Sequence, residues 1–283
     1  EHLGLDLLMQ EWIPFLSPQT PKPANHGAPI VQSLEDYERV LPTLYPMDQP
    51  DPKRMRDMAA RSASGEAVTW LTLDGFFWAP RTLLGIEPHL YAFYDEPELL
   101  HRICEDLTAY YVRVLDAVFS YFTPDFMTFA EDMSYNLGPM LSEALFDEFL
   151  LPYYKRLVPV LKAHGVRVFV DTDGDVTQMV PWLMRAGVEG VLPLERQAGV
   201  DAGKLRAAHP GLLMLGHFDK MCMPGGEPAM RAEFERLLPV MRSGGFVPGV
   251  DHQTPPSVSL EDYRTFLALF REYASLSATG TNA

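Results

Sequence analysis

Runs rich in β-branched and aromatic residues alternate along this chain with segments of helical period. The strand-like runs lie at about 67–74, 124–130, 166–172, 188–194, 212–217 and 245–251. Between them, Glu96 to Phe122 repeats apolar residues at Leu99, Ile103, Leu107, Tyr111 and Val114, the spacing of one helix face. Ser142 to His164 has the same period, with a Ser142-Glu143 start and Gly165 where a helix stops. Segments 177–186, 201–208, 228–242 and 260–273 complete the helices. Strand and helix in regular alternation predict a parallel sheet with helical crossovers.

The expected fold class is α/β, a TIM-type (β/α)8 barrel in a single domain whose N-terminal part is incomplete. Six strands are two short of eight, and the missing ones are expected before Glu1 or within residues 1–66. Many of the 25 prolines fall between Pro14 and Pro52, so residues 1–66 read as an irregular cap or lid around one short helix near Ser33–Leu41. Residues 67–275 form the expected barrel body and 276–283 a tail.

Almost every strand-like run ends on an acidic residue or a histidine: Asp74, Glu131-Asp132, Asp171-Thr172-Asp173, Glu195, His217 and Asp251-His252. In a parallel barrel the carboxyl ends share one mouth, where active sites of that fold lie. Asp171 and Asp173 alternate onto one side, and two like charges so close call for a cation between them. A neutral imidazole from His252 suits the same ion. The expected metal ligands are therefore Asp171, Asp173, His252 and Glu131, with Glu131, Asp173, Glu195 and His217 as catalytic candidates. Each has a plainer reading, as a helix cap, a turn acceptor or a packed rim residue. Phe76, Trp78 and Tyr135 are the expected substrate-binding aromatics.

Composition narrows the chemistry. The formal net charge of −15 opposes nucleic-acid or anionic-membrane binding. No apolar run approaches the roughly 20 residues of a membrane span, and no signal peptide is apparent. Two cysteines, Cys104 and Cys222, make no disulfide framework, so the cytoplasm is the expected location. Phosphate-loop, dinucleotide and Gly-x-Ser-x-Gly signatures are all missing.

Gly75-Phe76-Phe77-Trp78-Ala79-Pro80-Arg81-Thr82-Leu83, Leu151-Pro152-Tyr153-Tyr154-Lys155-Arg156, Glu131-Asp132-Met133 and Asp173-Gly174-Asp175 together resemble the uroporphyrinogen decarboxylase superfamily, as does Asp251-His252 followed by Val258 to Tyr263. The resemblance runs from about residue 67 to the end. It implies a TIM-type barrel and one of two activities, decarboxylation or corrinoid-linked methyl transfer. In the methyltransferase branch a zinc is held by one histidine and two cysteines. Those positions fall on Asp171, Asp173 and His252, so oxygen and imidazole donors replace the thiolates, which suits zinc and also manganese or iron. The acidic strand ends disfavour a substrate with eight carboxylates. The expectation is thus a metal-assisted methyltransferase that moves a methyl group from a small methylated, plausibly methoxylated, substrate to a corrinoid carried by a partner protein. A cofactor-free decarboxylase and a non-catalytic ligand-binding barrel are the alternatives.

Overall fold

The structure, a computed structural model, describes residues 3–278. Seven parallel strands make one sheet: β1 (Leu7–Ile13), β2 (Ala67–Asp74), β3 (Phe126–Ala130), β6 (Arg167–Asp171), β7 (Gly190–Leu192), β8 (Leu213–Phe218) and β9 (Phe246–Val250), paired in that order. A two-stranded antiparallel hairpin, β4 (Ser134–Tyr135) with β5 (Gly138–Pro139), stands over the carboxyl ends. The sheet curls into a barrel wall of TIM type, because residues of β1 and β2 and residues of β7, β8 and β9 line one common cavity. Six of the strands lie where the alternation placed them.

β1 was not legible as a strand. Leu7-Leu8-Met9-Gln10-Glu11-Trp12-Ile13 holds a single β-branched residue, and its conformation follows from seven register pairs with β2, from Leu7↔Ala67 to Ile13↔Leu73. Arg54 clips it from outside, donating to Glu11 Oε2 and the Gln10 carbonyl, both at 2.9 Å. Residues 14–66 contain two helices, α1 (Leu34–Val40) and α2 (Pro52–Ala63), capped by the side chains of Ser33 and Asp51. In the expected tail, residues 276–278 belong to the last helix, α11 (Leu260–Ala278), and 279–283 lie outside the described residues.

Period 2 sorts each strand's side chains between lumen and helices. Gln10 Nε2 and Thr72 Oγ1, Thr72 and Thr128 Oγ1, and Trp12 Nε1 and Asp74 Oδ1 bond across β1, β2 and β3 at 2.9, 3.0 and 3.1 Å, which marks the polar inner face. Leu71, Leu73, Met127, Phe129, Val168 and Val170 point the other way into the fully buried layer beneath the helices. The main covering helices are α5 (Pro97–Phe119), α7 (Leu151–Ala163) and α10 (Gly226–Arg242). α5 buries positions 99, 100, 103, 104, 107, 111, 114, 115 and 118, a continuous stripe at helical spacing. Each large apolar side chain so buried contributes about 1.5–3 kcal/mol. The expected helix over 142–164 is two, α6 (Glu143–Phe149) and α7, because Pro152 in the first turn of α7 has no N–H to continue the ladder.

Candidate metal centre

Three of the strand ends bring two carboxylates and an imidazole together. Beyond β6 the chain continues through Thr172 to Asp173, beyond β7 to Glu195, and beyond β9 to His252. Asp173 Oδ2 lies 3.3 Å from His252 Nε2, and one ligand atom from each of Asp173, Glu195 and His252 lies within 4.8 Å of the others. An ion bonded at about 2.1 Å to such donors needs them about 3–4 Å apart, so small side-chain rotations suffice. One imidazole and two carboxylates fit a divalent first-row cation.

The hairpin holds this site from above. The Met133 N–H donates to Thr172 Oγ1 at 3.0 Å, the hydroxyls of Thr172 and Ser134 are 2.9 Å apart, and Ser134 Oγ donates to the Asp173 carbonyl at 2.6 Å. Since Ser134 spends its only proton on that carbonyl, Thr172 must donate to Ser134. Gly174 makes the approach possible. With φ at +82°, a Cβ there would sit 2.4 Å from Tyr135 Cα, and the Asp175 N–H donates to Tyr135 O at 2.9 Å. The Gly174 N–H in turn donates to Glu195 Oε2 at 2.8 Å, tying two of the three candidate ligands to one turn.

A cavity of about 250 Å³ opens beside the triad, lined by Arg81, Asp132, Ser134, Tyr135, Met140, Asp173 and Glu195. Acidic groups crowd it. Burial pushes Asp171 up to about 7, with Asp173 and Asp132 adding to the rise, and burial and Asp132 likewise raise Asp173. Among the described residues, Arg81 is the one cationic side chain lining the cavity. It donates to the Asp132 carbonyl at 3.1 Å, has its guanidinium 4.0 Å from the Asp132 carboxylate, and lies over the Trp78 ring at 5.1 Å. Asp132 is held at φ +45°, an uncommon conformation for a non-glycine residue that aims it at this mouth.

Sequence reasoning gives neither residue a site role: Arg81 enters only within the Gly75–Leu83 motif, and Asp132 only as the strand-end neighbour of Glu131. Only the proximity of the hairpin reveals what they line. Tyr135, half exposed, lines the cavity. Trp78 lines an adjoining cavity of about 200 Å³ with Pro23 and His26, and Arg81 borders both.

Other expected site residues stand elsewhere. Glu131 is no ligand in this arrangement: its buried carboxylate accepts from the N–H groups of Phe76, Phe77 and Trp78 at 2.9, 2.7 and 3.1 Å and from the Tyr154 hydroxyl. It anchors the start of helix α3 (Trp78–Leu84) and has no free lone pair aimed at the mouth. His217 is fully buried, with Nδ1 2.9 Å from Leu194 O while Nε2 accepts the Ala202 N–H at 3.1 Å. That pair of bonds fixes a neutral tautomer, and burial lowers its pKa, so it is a staple between loops and no acid or base of the cavity. Phe76 is buried among Phe129, Tyr153 and Tyr154, a core residue without access to substrate. Asp171 stands next to the triad without joining it, and Glu195, expected as a catalytic residue, takes its place among the possible ligands. Asp251, beside His252, is spent on the N–H groups of Arg196 and Lys220 and on Lys220 Nζ at 3.2 Å.

Residues 58–273 match the family model described as "Uroporphyrinogen decarboxylase (URO-D)". No curated protein matches the chain. Among solved structures, a methyltransferase from Methanosarcina mazei aligns with a TM-score of 0.62 over 88% of this chain and 71% of that chain, at 16% identity, a likeness of fold.

Proposed function

Because the chain belongs to the uroporphyrinogen decarboxylase family, we propose that it works on the methyltransferase side of it, moving a methyl group from a small methylated substrate to a corrinoid carried by a partner protein. The observation that carries this reading is the convergence of Asp173, Glu195 and His252 at the mouth. A divalent ion held by these three would act as a Lewis acid on the heteroatom that bears the methyl group. The methyl donor, a methoxylated compound in the simplest case, would lie in the cavity between Tyr135 and Arg81. There Arg81 offsets part of the negative charge, and Asp171 can hold or release a proton near neutral pH beside the triad. Zinc is the first candidate ion. A cytoplasmic location is part of the same proposal, supported by the free thiols of Cys104 and Cys222 and by the lack, among the described residues, of a helix long and apolar enough to cross a membrane.

The family match also favours a decarboxylase reading, and charge argues against it. Among the described residues lining the cavity, Arg81 is the one cation against Asp132, Asp173 and Glu195, with Asp171 close to Asp173 and Asp132, a poor welcome for a substrate rich in carboxylates. Two measurements separate the readings. Protein purified without chelator should carry about one transition-metal ion per chain, lost in both His252→Ala and Glu195→Ala. Incubation with uroporphyrinogen should leave it unchanged. A metal-free protein under all loading conditions, or decarboxylated product, overturns the proposal.

A further inference from the structure

Each candidate ligand at the mouth is the chain neighbour of a residue that holds the next one. Asp173 precedes Gly174, whose N–H donates to Glu195 Oε2 at 2.8 Å. Glu195 precedes Arg196, whose N–H donates to Asp251 Oδ2 at 2.9 Å, and Asp251 precedes His252. Two hydrogen bonds thus link the loops after β6, β7 and β9 in series, and Asp251 accepts the second. Its carboxylate is fully buried, and Oδ1 accepts from both the Lys220 N–H and Lys220 Nζ at 3.2 Å, so the loop after β8 is joined to the same side chain. The Asp251 N–H donates to the Phe218 carbonyl at 2.9 Å, which fixes the backbone from which that carboxylate reaches. The segment it holds is strained. Leu194, just before Glu195, is buried at φ +62°, a conformation that costs a bulky residue about 1–3 kcal/mol and persists only where its surroundings enforce it. On the N-terminal side His217 does so, donating from its backbone N–H and from Nδ1–H to the carbonyls of Pro193 and Leu194 at 3.0 and 2.9 Å. On the C-terminal side the bond from the Arg196 N–H to Asp251 is the matching restraint.

We propose that Asp251 is a positioning residue, which sets the spacing of Glu195 and His252 for the ion while standing outside the triad itself. This rests on the metal centre proposed above. Freed from Asp251, the Leu194-Glu195 segment can relax toward ordinary backbone conformations and carry its carboxylate away from His252. The chemistry calls for an aspartate because both of its oxygens face donors only. An asparagine there keeps the size but must turn its NH2 group toward one set of them. Its oxygen stays with Lys220, which presents a cation as well as an N–H, so the NH2 group meets the Arg196 N–H and the bond beside Glu195 is the one that breaks.

The test compares Asp251→Asn with Glu131→Gln, which makes the same chemical change at a buried carboxylate whose backbone partners, Phe76, Phe77 and Trp78, adjoin no member of the triad. Isothermal titration of the whole chain with Zn2+ should give Glu131→Gln the wild-type Kd and Asp251→Asn a Kd raised about ten- to a hundredfold, the usual effect of losing a group that orients a ligand. A purely structural carboxylate would not separate the two variants. An unchanged Kd in Asp251→Asn, or an equal rise in both, overturns the proposal and leaves the metal centre standing. Wild type that binds no Zn2+ overturns the metal centre and the proposal with it. Should Asp251→Asn fail to fold, amide exchange followed by NMR in the wild type decides. The ion and the Asp251 bond favour the same closed loop, so saturating Zn2+ should slow exchange of the Arg196 amide at least tenfold more than that of the Phe77 amide, which Glu131 holds. Equal slowing of the two overturns the proposal.

Discussion

Four donors converge on the Glu131 carboxylate, and the space for it exists because residue 75 is glycine: a Cβ on Gly75 would lie 1.9 Å from Glu131 Cδ. Glu131→Gln keeps the shape but turns an NH2 group toward backbone N–H groups. It is expected to cost about 2–4 kcal/mol in urea unfolding while metal content stays at the wild-type value, because the triad is separate. A second buried carboxyl, Asp74, is pushed up to about 7 by burial, which outweighs its bond from Trp12. A native pKa above the unfolded value of 3.8 means that the native state binds the proton more tightly, so stability falls as pH rises from about 4 to about 7 and is level above. Asp74→Asn removes this titration and can still accept from Trp12. Its unfolding free energy at pH 8 should exceed that of wild type by on the order of 2–4 kcal/mol, and the difference should vanish at pH 4. Acidic strand ends were visible in the sequence, but which acid is free was not. The partners of Glu131 and Asp251 include backbone amides, which leave no residue-type signal.

At the scale of elements, what positions Asp173 is the contact between the β4–β5 hairpin and the turn after β6. Gly174→Ala would force a Cβ into the Tyr135 backbone at φ +82°, so the hairpin must move and carry Ser134 away from Asp173. Metal affinity is expected to fall tenfold or more by isothermal titration. Gly199→Ala is the matching control: its φ is +92°, equally unfavourable, but nothing lies within 4 Å, so it should cost about 1 kcal/mol of stability and leave affinity alone. Turn glycines were legible as turns, whereas the close approach behind Gly174 is tertiary and was not. The same divide separates the strands. β2 and β3 advertise themselves through Val, Thr and Phe, but β1 is a strand because β2 is beside it.

For the whole molecule, a net charge of −15 and a mouth holding Asp132, Asp171, Asp173 and Glu195 mean that the fold works against self-repulsion, which a cation at the proposed site would relieve. Binding to the native state alone raises stability by about 2.7 kcal/mol when free ion reaches about 100 times its Kd. Binding also requires the carboxylates without their protons, and Asp173 is raised above the ordinary range by burial and by Asp132. The contribution of an ion held by the triad would therefore be present at pH 7.5 and be lost on acidification sooner than an ordinary carboxylate would lose it. Thermal unfolding across pH 5–8, with and without Zn2+, should show an ion-dependent rise in Tm that shrinks steadily toward pH 5 in the wild type and is missing at every pH in His252→Ala. A Tm rise of the same size at pH 5 as at pH 7.5 would mean that the ion is held by groups other than these carboxylates, and a rise that survives in His252→Ala would place it away from the triad.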